Sequence, residues 1–357
     1  MKISKIDTWA QAVPLTRPYS IASRTIREVK LFFVRLATAD GTVGLGCASP
    51  AEEVTGESHL ACSAALETDS LQWLHGKDLV ELSAICRQLR EVCSSTPAAR
   101  VALEMALFDL TARHLDRPLV DLLGRCHESL PTSITIGIKD SIGEALQEAD
   151  EYVGRGFRSL KVKIGHSLES ETELLQRLRE HVGEAIQIRV DANLGYGLEQ
   201  TERFWPQIQS LKLDLVEQPV PVDQFESLSN LPESYRDLLA ADESLLDERD
   251  AFRLASPPRA CGIFNIKLMK CGGLTTALEI ARIGELAGVD LMWGCMDESV
   301  ISISAALHTA FACPNTRFLD LDGSFDLARD PARGGFDLVA GELRLLDSPG
   351  LGVELSG

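Results

Sequence analysis

The sequence predicts a (β/α)8-type, modified TIM barrel preceded by an N-terminal α+β capping domain, with the C-terminal segment returning to complete the cap. Three observations predict it. From about residue 130 onward, eight short apolar runs alternate with polar stretches of helical composition: 132–137, 159–164, 186–191, 213–217, 238–242, 263–267, 289–293 and 317–320. Most of their ends (Lys163, Asp191, Glu217, Asp242, Lys267, Trp293 and Asp320) fall 25 to 28 residues apart, the length of one strand-loop-helix-loop unit. Eight such units favour a closed barrel over an open doubly wound sheet. Before residue 125 the pattern differs, with strand-like runs followed by helical ones, as in an α+β unit.

The capping unit comes first. Within residues 1–50, Val29-Lys-Leu-Phe-Phe-Val-Arg-Leu36 and Thr38-Ala-Asp-Gly-Thr-Val43 read as strands, with Asp40-Gly41 as the hairpin turn. From about 56 to 124 the periodicity is helical. Ala98–His114 is rich in Ala, Leu and Met, and Pro118 and Gly124 punctuate the stretch after it. The expected division is a capping domain over 1–125, a barrel over 126–322 and a returning segment over 323–357. A chain of 357 residues, 45% hydrophobic and 25% charged, builds its own core without disulfides.

Composition also excludes partners. With 53 acidic against 35 basic side chains, a net charge of −18 and no basic block, nucleic acid and anionic membrane are not expected to bind. The nine cysteines are odd in number, with no CxxC or Cys/His cluster, which argues for reduced thiols rather than a disulfide framework or a zinc site. The N-terminus lacks the apolar core of a signal peptide, and no apolar run approaches a membrane span. A cytoplasmic protein is expected, with homo-oligomerisation neither required nor excluded. The seven histidines show no ligand spacing, and His308 reads as a core or helix-end residue. Phosphate-cradling, dinucleotide-binding and hydrolase motifs are absent.

The chemistry lies at the strand ends, where barrel enzymes place it. In Leu160-Lys-Val-Lys-Ile164, alternation sends Lys161 and Lys163 to the inner face. Two ammonium groups inside a barrel cost desolvation unless they are used, either in catalysis or in pairing with nearby carboxylates. The next three strands end in Asp191, Glu217 and Asp242. Neighbouring strands lie about 4.8 Å apart, so three anions converge and need a compensating charge. Helix N-capping accounts for one of them, not for all three. Oxygen ligands without His or Cys suit a hard cation, Mg²⁺, completed by water and substrate. Lys267 then ends the sixth strand. The order round the barrel is lysine, acid, acid, acid, lysine, so a substrate carboxylate on the metal would lie between two amines. One amine would remove a proton from the adjacent carbon and the other deliver one to the opposite face, through an enediolate. A lysine base needs its pKa lowered by about 2–3 units from ~10.4, and the cation and Lys161 are expected to push that way.

In Lys161-Val-Lys163, Asp191-Ala-Asn193, Glu217-Gln-Pro219, Asp242-Glu-Ser244, Lys267-Leu-Met-Lys-Cys-Gly-Gly273 and the helix around Ala102–Leu110, the chain resembles the enolase superfamily over nearly its whole length. Within it the chain is similar to the muconate-cycloisomerase-like subgroup. The mandelate-racemase-like subgroup uses a histidine at the seventh strand, where this chain has Trp293-Gly-Cys-Met296. The resemblance implies metal ligation by Asp191, Glu217 and Asp242 and an acid/base pair of Lys163 and Lys267. Lys163 would take the proton of the L form, with Lys161 supporting the electrostatics.

Asp320-Leu-Asp322-Gly323 looks like the Asp-x-Asp motif of dipeptide epimerases, whose carboxylates hold the substrate's α-ammonium group. The same four residues would also suit an ordinary loop turn. Arg24 resembles the arginine that binds an acidic side chain in L-Ala-D/L-Glu epimerases, but Asp297 stands where those enzymes carry an apolar residue. An anion there favours Lys or Arg in the substrate, unless Arg24 and Asp297 pair and leave a neutral site. Glu52 and Glu53, in an expected mobile loop over the barrel mouth, would add to the preference or simply be solvated. The expected function is a Mg²⁺-dependent dipeptide epimerase that inverts the C-terminal residue by 1,1-proton transfer and favours basic or broad dipeptides. The alternatives are an L-Ala-D/L-Glu epimerase, another superfamily reaction such as o-succinylbenzoate synthesis or cycloisomerisation, and a non-catalytic amino-compound binder.

Overall fold

A computed structural model describes residues 1–21 and 24–356, and the side chains of all of these but 18–21, 24 and 25. Three antiparallel strands open the chain in the order β1 (Ile3–Ile21), β2 (Arg24–Thr38) and β3 (Val43–Ala48). Pro14 and Pro18 are tolerated in β1 because it lies at the sheet edge, where a missing N–H costs least, and the β1–β2 register shifts between Pro14 and Tyr19. The hairpin lies where Asp40-Gly41 predicts it. Asp40 Oδ1 accepts from Thr38 Oγ1 at 2.5 Å and from Thr42 N at 3.1 Å, and Gly41 takes φ +90°. That turn consumes residues 39–42, so 38–43 is mostly turn and the next strand begins only at Val43.

Helices α1 (Glu52–Thr55), α2 (His59–Ala65), α3 (Leu82–Val92), α4 (Pro97–His114) and α5 (Leu119–Leu123) follow. In α4 Pro97 stands in the first turn, and Glu57 accepts from the free Ala98 and Ala99 N–H groups at 2.6 and 3.2 Å. Thirteen of its eighteen residues are buried, so α4 is a central helix packed all round rather than a surface one. Gly44 and Gly46 let β3 lie directly on α4, since a Cβ at either would strike the carbonyl oxygens of Ala106 or Ala102.

A short lead-in, β4 (Leu130–Pro131), precedes eight parallel strands in sequential order. These are β5 (Ser133–Ile136), β6 (Ser159–Lys163), β7 (Gln187–Asp191), β8 (Leu215–Glu217), β9 (Leu239–Ala241), β10 (Ile263–Ile266), β11 (Asp290–Gly294) and β12 (Thr316–Asp320). The gap between β12 and β5 is bridged by the parallel pair Thr132–Leu319 and by Ser133 Oγ donating to Leu319 O at 3.3 Å. Helices α6 (Ile142–Gly154), α7 (Leu168–Val182), α8 (Leu198–Ile208), α9 (Glu233–Arg236), α10 (Glu248–Ala255), α11 (Leu268–Cys271), α12 (Leu274–Ala287) and α13 (Val300–Phe311) make the connections. The single-turn α9 and an adjoining 3-10 stretch replace a full helix between β8 and β9.

Leu215, Ala240, Ile263, Met292 and Phe318 form a small separate core. Each stands two residues before Glu217, Asp242, Asn265, Gly294 or Asp320, so the same inward faces are apolar below and largely polar above. Arg189 lies buried in this tier, 4.9 Å from the Phe318 ring centre, and donates to Leu319 O at 2.6 Å.

After β12 the chain forms β13 (Ala332–Gly334), β14 (Phe336–Val339), β15 (Glu342–Leu345) and β16 (Val353–Leu355), with β13 paired to β16 and β15 to both β14 and β4. Asp109 of α4 accepts from Leu45 N at 2.9 Å and Leu351 N at 2.7 Å, and Arg113 pairs with it while donating to Val353 O. This buried carboxylate ties β3, α4 and the C-terminal segment together. His308 is buried in α13 and its Nδ1 accepts from Val120 N at 3.0 Å, a packing role. All nine cysteines are free thiols, and no helix of the described residues is long and apolar enough to cross a membrane.

Candidate active site

The strand ends bring the predicted charges together. Lys163 pairs in register with Asp191 across β6 and β7, and Asp191 with Glu217 across β7 and β8. Asp242 follows β9, Lys267 follows β10, and Asp320 closes β12. Asp191 and Glu217 are fully buried and Asp242 nearly so. Lys163 Nζ lies 2.7 Å from Asp191 Oδ2 and 2.9 Å from Asn193 Oδ1, and Lys267 Nζ lies 2.8 Å from Asp242 Oδ2. The two amines therefore approach the carboxylate group from its two ends. Between them sits Lys161, buried, with Nζ 2.7 Å from Asp320 Oδ2, 2.9 Å from Glu217 Oε2 and 3.0 Å from Asp191 Oδ2.

Among the described residues no three acidic, histidine or cysteine side chains stand ready in coordination geometry, and the Lys161 ammonium lies against both Asp191 and Glu217. The donor set nonetheless fits a hard divalent cation. Burial, reinforced by the neighbouring Asp191 and Asp242 charges, pushes the Glu217 carboxyl up to about 8 despite Lys161. Its buried Oε2 receives no well-directed hydrogen bond. A buried carboxyl held that far above its ordinary value is one whose ionised form a cation would stabilise. Burial opposes ionisation at Asp191 and Asp242 too, but the lysines beside each hold both carboxyls below their usual range.

The lysines sit in opposing fields. Burial lowers the pKa of Lys161 and Lys267, yet the surrounding carboxylates outweigh it and hold both amines above their ordinary values. On sequence alone, Lys161 and a cation are expected to depress the lysine base. Lys161 does push Lys267 down as expected, but Asp242 and Glu217 push it up by more.

The two aspartates at the end of β12 and just beyond it have different partners. Asp320 accepts from Lys161 Nζ at 2.7 Å and from Ser133 Oγ at 2.6 Å. Asp322 accepts from Thr135 N at 3.0 Å, and burial together with Asp320 pushes it up to about 7. Asp297 is half-buried on the loop after β11, where its carbonyl accepts from Ser49 Oγ at 2.8 Å. The side chain of Arg24 lies outside the described residues, and the expectation that it could pair with Asp297 falls there with it. Glu52 and Glu53 are exposed on α1, a short helix rather than the expected loop.

Several residues escape sequence reasoning. Lys270 is buried and donates to Asp242 Oδ1, to Asp242 O and to Asn265 O, holding that carboxylate from behind. Asn265 Nδ2 donates to Glu217 Oε1 at 2.8 Å. Gln218 Oε1 accepts from Asp242 N and Ser244 N at 3.0 and 3.1 Å and so fixes the start of the next acidic turn. Glu298, pushed up to about 7 by burial and by Asp297, accepts from Met296 N beside that loop. Asn265 could have been found as a polar residue interrupting an apolar strand. Lys270 follows a strand and carries no such signal.

An eight-stranded barrel with an α+β cap and lysines flanking three carboxylates defines the class. The chain belongs to the mandelate racemase / muconate lactonizing enzyme family: residues 4–124 match its N-terminal domain, and residues 144–357 match the enolase C-terminal domain-like family. Among relatives, it is 55% identical over 353 residues to the L-Lys-D/L-Arg epimerase of Methylococcus capsulatus, covering 99% of both chains. It is 33% identical over 356 residues to the L-Ala-D/L-Glu epimerase of Bacillus subtilis, covering 99% of this chain and 97% of that one. A crystal structure of the Methylococcus capsulatus dipeptide epimerase with Mg and the dipeptide L-Arg-D-Lys matches the fold with a TM-score of 0.97 and 55% identity, over 99% of each chain.

Proposed function

We propose that the chain is a Mg²⁺-dependent dipeptide epimerase that inverts the α-carbon of the C-terminal residue by 1,1-proton transfer, with a preference for cationic dipeptides. The observation that carries this reading is the pair Lys163 and Lys267 at the two ends of a carboxylate cluster, in a chain 55% identical to an L-Lys-D/L-Arg epimerase.

Asp191, Glu217 and Asp242 would hold Mg²⁺, which would supply positive charge beside the substrate carboxylate as the α-proton leaves. Lys163 takes the α-proton from one face as the C–H electrons move into the carboxylate. Lys267 then gives a proton to the opposite face and forms the new C–H bond. By resemblance Lys163 serves the L form, and the reverse reaction exchanges the roles. Lys161, anchored by Asp320, keeps a fixed positive charge beside the reacting carboxylate. Asp322, with Asp320, bounds the region for the substrate's α-ammonium group. Acidic Asp297 on the loop after β11, with Glu52 and Glu53 on α1, suits a basic side chain and disfavours the glutamate of an L-Ala-D/L-Glu epimerase. Nine free thiols fit a reducing, cytoplasmic setting.

The test is a dipeptide library incubated in D₂O with Mg²⁺ and read by mass spectrometry and chiral chromatography. Cationic dipeptides should gain one deuterium and interconvert fastest. Exchange confined to L-Ala-L-Glu would overturn the specificity, and no exchange with any member would overturn the reaction.

A further inference from the structure

The turn that carries Lys267 is gripped by the capping domain. Lys267 stands at the start of α11, and Gly272-Gly273 link α11 to α12. Two side chains of α4, one helical turn apart, reach this link. Arg100 donates from Nε to Gly272 O at 2.5 Å and from Nη2 to Cys271 O, satisfying carbonyls left free at the end of α11. Glu104 accepts from Thr275 N at 3.1 Å and Thr275 Oγ1 at 2.9 Å, placing a carboxylate at the start of α12. Arg100 is 8% exposed and Glu104 1%. Burying an arginine and a glutamate costs free energy unless their partners are worth it. The glycines make the grip fit, since a Cβ at Gly272 would strike the Arg100 guanidinium and one at Gly273 the Glu104 carboxylate. Within α11, Lys270 N and Cys271 N both bond back to Lys267 O, so the link moves as one piece with Lys267. Lys163 has no such connection to α4: it ends a barrel strand and pairs with Asp191 and Asn193.

We propose that Arg100 and Glu104 are positioning residues for the Lys267 half of the reaction, so that the cap sets the placement of one base and not the other. This rests on the two-base reading of the site. The test measures deuterium wash-in in D₂O at saturating Mg²⁺, separately for the isomer that presents its α-hydrogen to Lys267 and the one that presents it to Lys163. Wild type should exchange both. E104A should slow exchange from the Lys267-facing isomer, and epimerisation with it, on the order of ten- to a hundredfold. Exchange with retention from the Lys163-facing isomer should stay within about twofold, a placement error at one base leaving the other intact. E104Q, which keeps the acceptor, should recover most of the loss. If E104A does not fold, R100K carries the same test, because a lysine cannot hold both carbonyls as the guanidinium fork does. Equal slowing of both isomers, or no slowing, would overturn this inference alone. A wild type that exchanges neither isomer would overturn the two-base reading and this inference with it.

Discussion

At the scale of single residues, the two-base reading makes the contributions of Lys163 and Lys267 separable. Each touches a different carboxylate, Asp191 or Asp242, so removing one leaves the other's surroundings largely intact. Lys267→Ala should reduce epimerisation on the order of 10²–10⁴-fold. Wash-in of solvent deuterium should survive in the isomer facing Lys163, and Lys163→Ala should show the reverse. NMR of recovered substrate reads both, and loss of all exchange in either variant would contradict the assignment of two independent bases. On the proposed reading, Asp297 sets preference rather than chemistry. Asp297→Ala should lower kcat/KM for cationic dipeptides by about tenfold relative to apolar ones, as expected for one charge lost from a complementary surface. An unchanged ratio would place the selectivity elsewhere.

At the scale of elements, the cap depends on close approach of β3 and α4. Gly46→Ala should destabilise the fold by about 1–3 kcal/mol or more, since the backbone carbonyl of Ala102 cannot swing aside as a side chain could. A denaturant titration measures it. The junction of α13 with α5 has a pH signature. Burial pushes His308 down to about 3, so between roughly pH 3 and the ordinary value near 6.5 the unfolded chain binds a proton that the folded chain refuses. The stability contributed by neutral His308 is therefore complete above about pH 6.5 and is lost as pH falls through that window. The melting temperature should drop on acidification, and His308→Gln should reduce the slope. An identical slope in the variant would show that other groups carry it.

At the scale of the whole molecule, cap and barrel are joined by buried polar side chains as well as by apolar packing. Asp109 links β3, α4 and the C-terminal segment, and Arg100 and Glu104 link α4 to the barrel. A cation bound by the native site should stabilise the entire fold by mass action. Chelation by EDTA should abolish activity and lower the melting temperature by several degrees, and added Mg²⁺ should restore both. A melting temperature indifferent to Mg²⁺ would argue against a native site.

The barrel was legible from the chain because parallel strands covered by helices are apolar on both faces. Against that background Lys161, Lys163, Asp191, Glu217 and Asp242 stand out at strand ends, and a spacing of 25 to 28 residues shows that those ends share one rim. Which charges touch was not legible. Lys161 reaches Asp320 from a strand 159 residues away, and Lys270 turns back onto Asp242. The Gly272-Gly273 pair was visible as a motif, but its physical cause, two side chains of α4 lying against it, was not. Periodicity and residue type decide which face of a strand or helix is polar, because those preferences are local. Pair distances, desolvation and the direction of each pKa shift arise only when distant segments converge, so they belong to the folded molecule.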